Sequence, residues 1–112
     1  MITNITDEYM ASMLAKVKPY CMVLLKPGTP DPGTDIPKTI WEHGRRNFAL
    51  REEKKLCIVA PVTDEGDVSG LYLFNATLEE VNEIMKEDPA VKAGIFCFQV
   101  YPCMSFPGDK LD

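Results

Sequence analysis

The sequence predicts an α+β fold in which helices cover one face of a four-stranded antiparallel sheet. Three observations predict it. Segments with helical apolar spacing alternate with short apolar runs of strand length. A Pro- and Gly-rich stretch, Lys26 to Asp35, and a polar one, Thr63 to Gly70, separate these segments without any repeat or domain linker. The last two runs are apolar on both sides of the strand period, which implies a sheet covered on both faces.

Thr6 or Asp7 caps a first helix over about Asp7 to Val17, where Tyr9, Met10, Met13, Leu14 and Val17 recur at helical spacing and Pro19 is the stop. Tyr20 to Leu25 is a first strand. KPGTPDPGTD (Lys26 to Asp35) excludes helix and central strand; it lacks the Gly-Lys-Ser/Thr ending of a phosphate loop and reads as an exposed loop or lid. A second helix spans about Ile36 to Lys54, with Asp35 as N-cap and Pro37 in its first turn. Ile36, Ile40, Gly44 and Phe48 fall on one side of it, flanked by Trp41 and Leu50. Leu56 to Val62 and Leu71 to Ala76 are strands joined by the hairpin TDEGDVSG. Thr77 caps a helix with Glu79 and Glu80 in its first turn and Leu78, Val81, Ile84 and Met85 on its apolar face, ending near Asp88-Pro89. Gly94 to Tyr101 is the last strand, before a Pro- and Gly-bearing tail.

After the extra N-terminal helix the order is β-α-β-β-α-β, the split βαβ, ferredoxin-like arrangement. It divides the chain into a helical extension (1–18), a folded unit (19–104) and a tail (105–112). Trp41, Phe48, Leu71, Leu73, Phe96 and Phe98 are expected to supply much of the core and the sheet faces. With the helices used on one face, the other needs a cover. A second copy of the chain, making a homodimer through that face, is the simplest one, and the N-terminal helix folded across it is the alternative.

Composition narrows the function. The length of 112 residues fits one domain, and 46% hydrophobic content excludes a disordered chain. A net charge of -5 without a basic patch argues against nucleic acid. The run Arg45, Arg46, Arg51, Lys54 and Lys55 is interrupted by Glu42, Glu52 and Glu53 and reads as a solvated helix face. No stretch approaches the ~20 apolar residues of a membrane span, and the first residues lack a signal-peptide pattern, so a cytoplasmic protein is expected. Cys21, Cys57, Cys97 and Cys103 lack C-x-x-C spacing and read as reduced, buried core residues. One histidine without ligand-spaced acids, and no dinucleotide fingerprint, leave no metal or cofactor expected.

His43 is the only histidine, the side-chain type that gains and loses a proton readily near neutral pH. It lies beside the apolar stripe of its helix, with Asn47 one turn later as a polar contact. The competing reading is a partly buried ring bonded to a backbone carbonyl. Asp88 reads as lying at a helix C-terminus, where the macrodipole disfavours an anion by roughly 0.3–1 kcal/mol. It is therefore either solvated or held by a partner. Helices side by side on one sheet face set the first half of one against the end of the other, which predicts that His43 and Asp88 meet. The carboxylate would then fix the imidazole tautomer and raise its basicity, making a general acid–base dyad. Trp41, Phe48, Tyr72 and Phe74 either line an aromatic pocket or pack the core.

Two segments, HGRRNFALREEKKLCIVAPV (His43 to Val62) and ATLEEVNEIMKEDPAVKAGIFCFQVYP (Ala76 to Pro102), resemble the YCII family, and the likeness spans about residues 20 to 102. Asp88, Pro89, Ala93 and Gly94 match its D-P-x-x-x-A-G pattern. Lys54 stands where the family usually has a turn glycine, and Ala60-Pro61 where it has Gly-Pro, which marks a divergent member. The resemblance implies a dimeric α+β barrel-type protein in which His43 and Asp88 are the functional pair. It loosely implies a cofactor-independent lyase or isomerase acting on a small cyclic or aromatic molecule, to which the residues' own spacing adds Asn47 and Trp41 as binding contacts. The alternative is a non-catalytic small-molecule-binding or structural dimeric module.

Overall fold

The computed structural model describes residues 2–112. The elements run α1 (Asp7–Leu14), β1 (Lys18–Pro27), α2 (Ile36–Glu52), β2 (Leu56–Pro61), β3 (Gly70–Phe74), α3 (Leu78–Lys86), α4 (Pro89–Lys92) and β4 (Phe96–Ser105). The protein is α+β, with one four-stranded sheet in the order β2-β3-β1-β4 and every neighbouring pair antiparallel. The helix starts follow from local chemistry. Thr6 accepts from the Tyr9 amide, Asp35 from the Lys38 amide, and Thr77 and Glu80 form a reciprocal capping box. The four-residue α4 is an element the sequence pattern did not predict.

The core lies between the sheet and the helices α2 and α3. Register pairs Val23 with Tyr72 and Cys21 with Phe74, which puts these four side chains on one face. With Leu25 and Leu56 they meet Leu50 of α2 and Val81 and Met85 of α3. Phe96, Phe98 and Val100 pack against this cluster while staying half-buried.

Several expectations are corrected. Trp41 and Phe48 are not core residues: they are 70% and 55% exposed. The face that α2 turns inward carries His43, Asn47 and Leu50, spaced four and three residues apart, and this rotates the Ile36–Ile40–Gly44–Phe48 stripe outward. Leu71 and Leu73 lie on the opposite sheet face with Met22, Leu24 and Ile58, all half-buried. Of the cysteines only Cys21 is buried. Cys57 is exposed as the unpaired residue of a bulge between Leu56 and Ile58, and Cys97 because it lies opposite Lys26 on the sheet face away from the helices.

Strand limits also differ. β1 includes Pro19, which lies beyond the last residue paired with β3 and bonds only toward β4. β4 continues through Pro102 to Ser105, because an edge strand tolerates a proline whose missing N–H faces away from the ladder. Helix α1 ends at Leu14 and has no buried residue, so it is not the cover for the open sheet face. Its Tyr9, Met10 and Leu14 are each about half exposed. The result is an elongated molecule with a radius of gyration of 16.6 Å, against about 13 Å for a compact chain of this length. Among the described residues, no helix is long and apolar enough to cross a membrane.

Two backbone features hold the loops. Lys54 takes φ 62 in the turn from α2 to β2, the left-handed conformation that a glycine would adopt without strain. The loop after β1 is docked rather than free at its start: the Gly28 amide bonds Ile95 O at 2.8 Å and the Asp31 amide bonds Ala93 O at 2.9 Å. Gly94 sits at φ +80 in this contact, and a Cβ there would lie 2.5 Å from the Thr29 carbonyl oxygen. Both the dihedral and the space require glycine. Gly94→Ala is expected to cost more than about 2 kcal/mol in urea-unfolding experiments. An unchanged midpoint would show that the loop does not dock on this turn.

Candidate active site

The predicted pair is formed. Asp88 reaches the site because α3 stops at Lys86 and Pro89 excludes the helical conformation from the residue before it, leaving Asp88 extended at φ -65, ψ 131. Its position corrects the sequence reading. Asp88 is not a helix C-terminal anion but the N-cap of α4, and its Oδ2 accepts from the Ala90 and Val91 amides at 3.0 and 3.2 Å. An Asp followed by Pro is the usual signature of a cap and a first helical residue, and that signal was in the sequence.

His43 is carried on the inward face of α2. Its Nδ1 lies 2.8 Å from each Asp88 carboxylate oxygen. The Asp88 side chain is 1% exposed, and Arg46 adds a cation at 3.9 Å. Because the carboxylate accepts from two backbone amides, Nδ1 is the donor toward it, and Nε2 is left as the acceptor in the neutral ring. The second nitrogen faces the sheet. Tyr72 Oη is 2.9 Å from Nε2, and Asn47 Nδ2 donates to Tyr72 Oη at 3.2 Å and lies 3.4 Å from Nε2. The alternative of a histidine bonded to a backbone carbonyl is therefore not what the fold builds. The Phe96 ring packs on His43 with centroids 5.4 Å apart. Among the described residues, every buried side-chain nitrogen and oxygen has a hydrogen-bond partner.

Tyr72 is the functional candidate that sequence reasoning treated only as a pocket or core aromatic. Strand alternation placed it beside the buried Phe74, and a buried tyrosine hydroxyl needs a partner. The missing signal was the inward rotation of α2, which supplies that partner. Burial pushes the Tyr72 hydroxyl up to about 12; the Asn47 hydrogen bond works against the rise and the nearby Asp88 charge adds to it.

The network borders a cavity of about 330 Å³ lined by Leu25, Ile40, His43, Gly44, Asn47, Phe48, Val59, Pro61, Ser69, Gly70, Tyr72 and Phe96. The volume is at the small end of ligand sites, and the lining is largely apolar with a few converging polar groups. Trp41 does not line it. Trp41 borders an adjacent groove on the outer side of α2 with Pro37, Ile40, Gly44, Arg45 and Phe48. Ile40, Gly44 and Phe48 border both, so the groove and the cavity are neighbours on either side of Gly44, where an added Cβ would touch nothing within 4 Å. Among the described residues, no three His, Cys, Asp or Glu side chains are grouped to hold a metal ion. No protein-family model matches this chain, and no curated protein matches it in sequence.

The raised Tyr72 value links the site to stability. An unfolded tyrosine ionises near ~10, whereas the folded one waits until about 12. The folded state therefore keeps its full benefit below pH ~10 and loses it as pH rises toward the folded value. Between these limits the wild type should lose on the order of 2 kcal/mol more stability than Tyr72→Phe. Denaturant unfolding at pH 9 to 12 measures this, and parallel profiles would place Tyr72 in contact with solvent.

Proposed function

We propose that this chain is a divergent YCII-like protein that works in the cytoplasm as a cofactor-independent acid–base enzyme of the lyase or isomerase type. Its substrate would be a small cyclic or aromatic molecule. His43 stores and moves the proton, Asp88 orients the ring, and Asn47 is the polar contact. One observation carries the reading: a single imidazole has Nδ1 held by a buried carboxylate while its other side belongs to a cavity-lining polar cluster. The strand order β2-β3-β1-β4 with antiparallel neighbours is compatible with a ferredoxin-like core. The D-P-x-x-x-A-G segment supports the family reading through its geometry, with Asp88 as a cap, Pro89 as a first helical residue and Gly94 at positive φ. Four free cysteines, two of them exposed, fit a reducing compartment.

Proton abstraction from carbon is the step common to this reaction class, so the test is exchange. Small ring ketones and phenols are incubated with the protein in deuterated water, and loss of ring-position protons is followed by NMR. Wild type should accelerate the exchange of at least one compound. His43→Ala should lose roughly 10²–10⁴-fold of that acceleration. Asp88→Asn should lose less while disturbing the Nδ1–H tautomer seen in long-range nitrogen–proton spectra. A compound that binds in the cavity but exchanges equally with and without His43 would leave the binding-module alternative. The fully satisfied network is the observation that favours that alternative.

The reading includes a homodimer through the open sheet face. Met22, Leu24, Ile58, Leu71 and Leu73 form an apolar surface there that is only half-buried, and α1 buries none of its residues. Light scattering at micromolar concentration should give about twice the chain mass of 12.6 kDa. A clean monomer would overturn the dimer.

A further inference from the structure

We propose that the Tyr72 hydroxyl, rather than the His43 imidazole, is the group that meets the ligand, and that the ligand is an uncharged ring bearing a hydroxyl or carbonyl oxygen. The inference rests on the acid–base reading of this site and names its reacting group and substrate class.

Both nitrogens of His43 are already engaged. Nδ1 faces the two Asp88 oxygens at 2.8 Å. Nε2 is closed off by Tyr72 Oη at 2.9 Å and by the Asn47 amide at 3.4 Å. A ligand atom reaches Nε2 only by displacing the tyrosine. Tyr72 is differently placed. Its oxygen accepts from Asn47 and donates to Nε2, and since a hydroxyl has two acceptor lone pairs, one is unused. Tyr72 lines the cavity with His43 and Asn47.

The three groups form a relay. The free lone pair of Tyr72 takes a proton from the ligand. In the same step the original Tyr72 proton passes to Nε2. The products are the ligand's conjugate base, a neutral tyrosine and an imidazolium whose Nδ1–H remains on the Asp88 carboxylate. Charge and protons balance, and the reverse sequence returns the proton to another position of the ligand. With the hydroxyl held up to about 12 by burial, a free phenolate does not form beforehand, so transfer runs in concert with His43.

The ligand class follows from the lining. Among the described residues, no Lys, Arg, Asp or Glu side chain lines the cavity. A charged ligand would lose its hydration without a counter-charge, which is costly in an apolar site. An uncharged ring fits the apolar walls, and its single oxygen finds the Tyr72 and Asn47 pair.

The experiment compares phenol, cyclohexanone and benzoate as NMR titration probes of wild type and Tyr72→Phe. Phenol and cyclohexanone should bind wild type and benzoate should not. Tyr72→Phe should weaken phenol binding by about tenfold, as expected for a lost hydrogen bond. The opposite outcome is equally informative. Removing the hydroxyl frees Nε2, so if His43 meets the ligand, phenol affinity in Tyr72→Phe holds or rises. That result overturns this inference and leaves the dyad reading intact. Benzoate binding as tightly as phenol overturns the ligand class, and so does failure of every probe to bind wild type at millimolar concentration. A measurement without substitution covers the case of a variant that does not fold. Labelling with 3-fluorotyrosine gives four signals, one for each of the four tyrosines. Phenol should shift that of buried Tyr72, and an unmoved Tyr72 signal under saturating phenol overturns the proposal.

Discussion

A single buried carboxylate ties the helical layer to the sheet. Asp88 accepts from two amides of α4 and from the imidazole of α2. That imidazole is bonded to a tyrosine of β3. Three elements that are distant in sequence, α2, β3 and α4, are thereby held by one chain of polar contacts. Breaking a buried pair by removing one partner typically costs about 3–5 kcal/mol, because the other is left buried and uncompensated. The penalty is what makes the arrangement specific: few other packings of α2 on this sheet would satisfy Asp88, His43, Asn47 and Tyr72 together.

The same network explains where the apolar residues go. A helix has one inward face, and on α2 that face is occupied by His43, Asn47 and Leu50. The apolar stripe through Ile40 and Phe48 is displaced to the rim, and Trp41 beyond it faces solvent. The space left between the stripe and the sheet is the cavity. A more stable protein would turn the stripe inward and fill that space with side chains. Retaining a polar face and an unfilled volume in so small a core is the pattern expected where function competes with stability.

The remaining apolar surface belongs to a different part of the molecule. The sheet face away from α2 and α3 is apolar along β1 and β3, and α1 projects without burying a residue. The chain's own core is completed by the nine residues from Cys21 to Met85 that pack between sheet and helices. The hydrophobic pattern of the outer face is thus not consumed by folding of one copy, which is the physical ground for a proposed assembly through it.

Local rules were enough to read most of the elements. Thr6, Asp35 and Thr77 are caps because their side chains reach amides within the same turn, and strand alternation separates Tyr72 and Phe74 from Leu71 and Leu73 whatever the fold around them. Two partners of the site were legible too, since His43 is the only histidine and Asp88 an aspartate before proline. What the sequence did not determine was the rotation of α2. Its hydrophobic pattern favours burying Ile36, Ile40 and Phe48, and an isolated helix offers no reason to bury His43 and Asn47 instead. That reason exists only once Tyr72 from the sheet and Asp88 from the α4 cap converge on the same point, because buried hydrogen-bonding groups must find partners and those partners come from other elements. Tertiary structure therefore decided which face of α2 is the inside, and with it the exposure of Trp41, the cavity and the place of Tyr72 in the site.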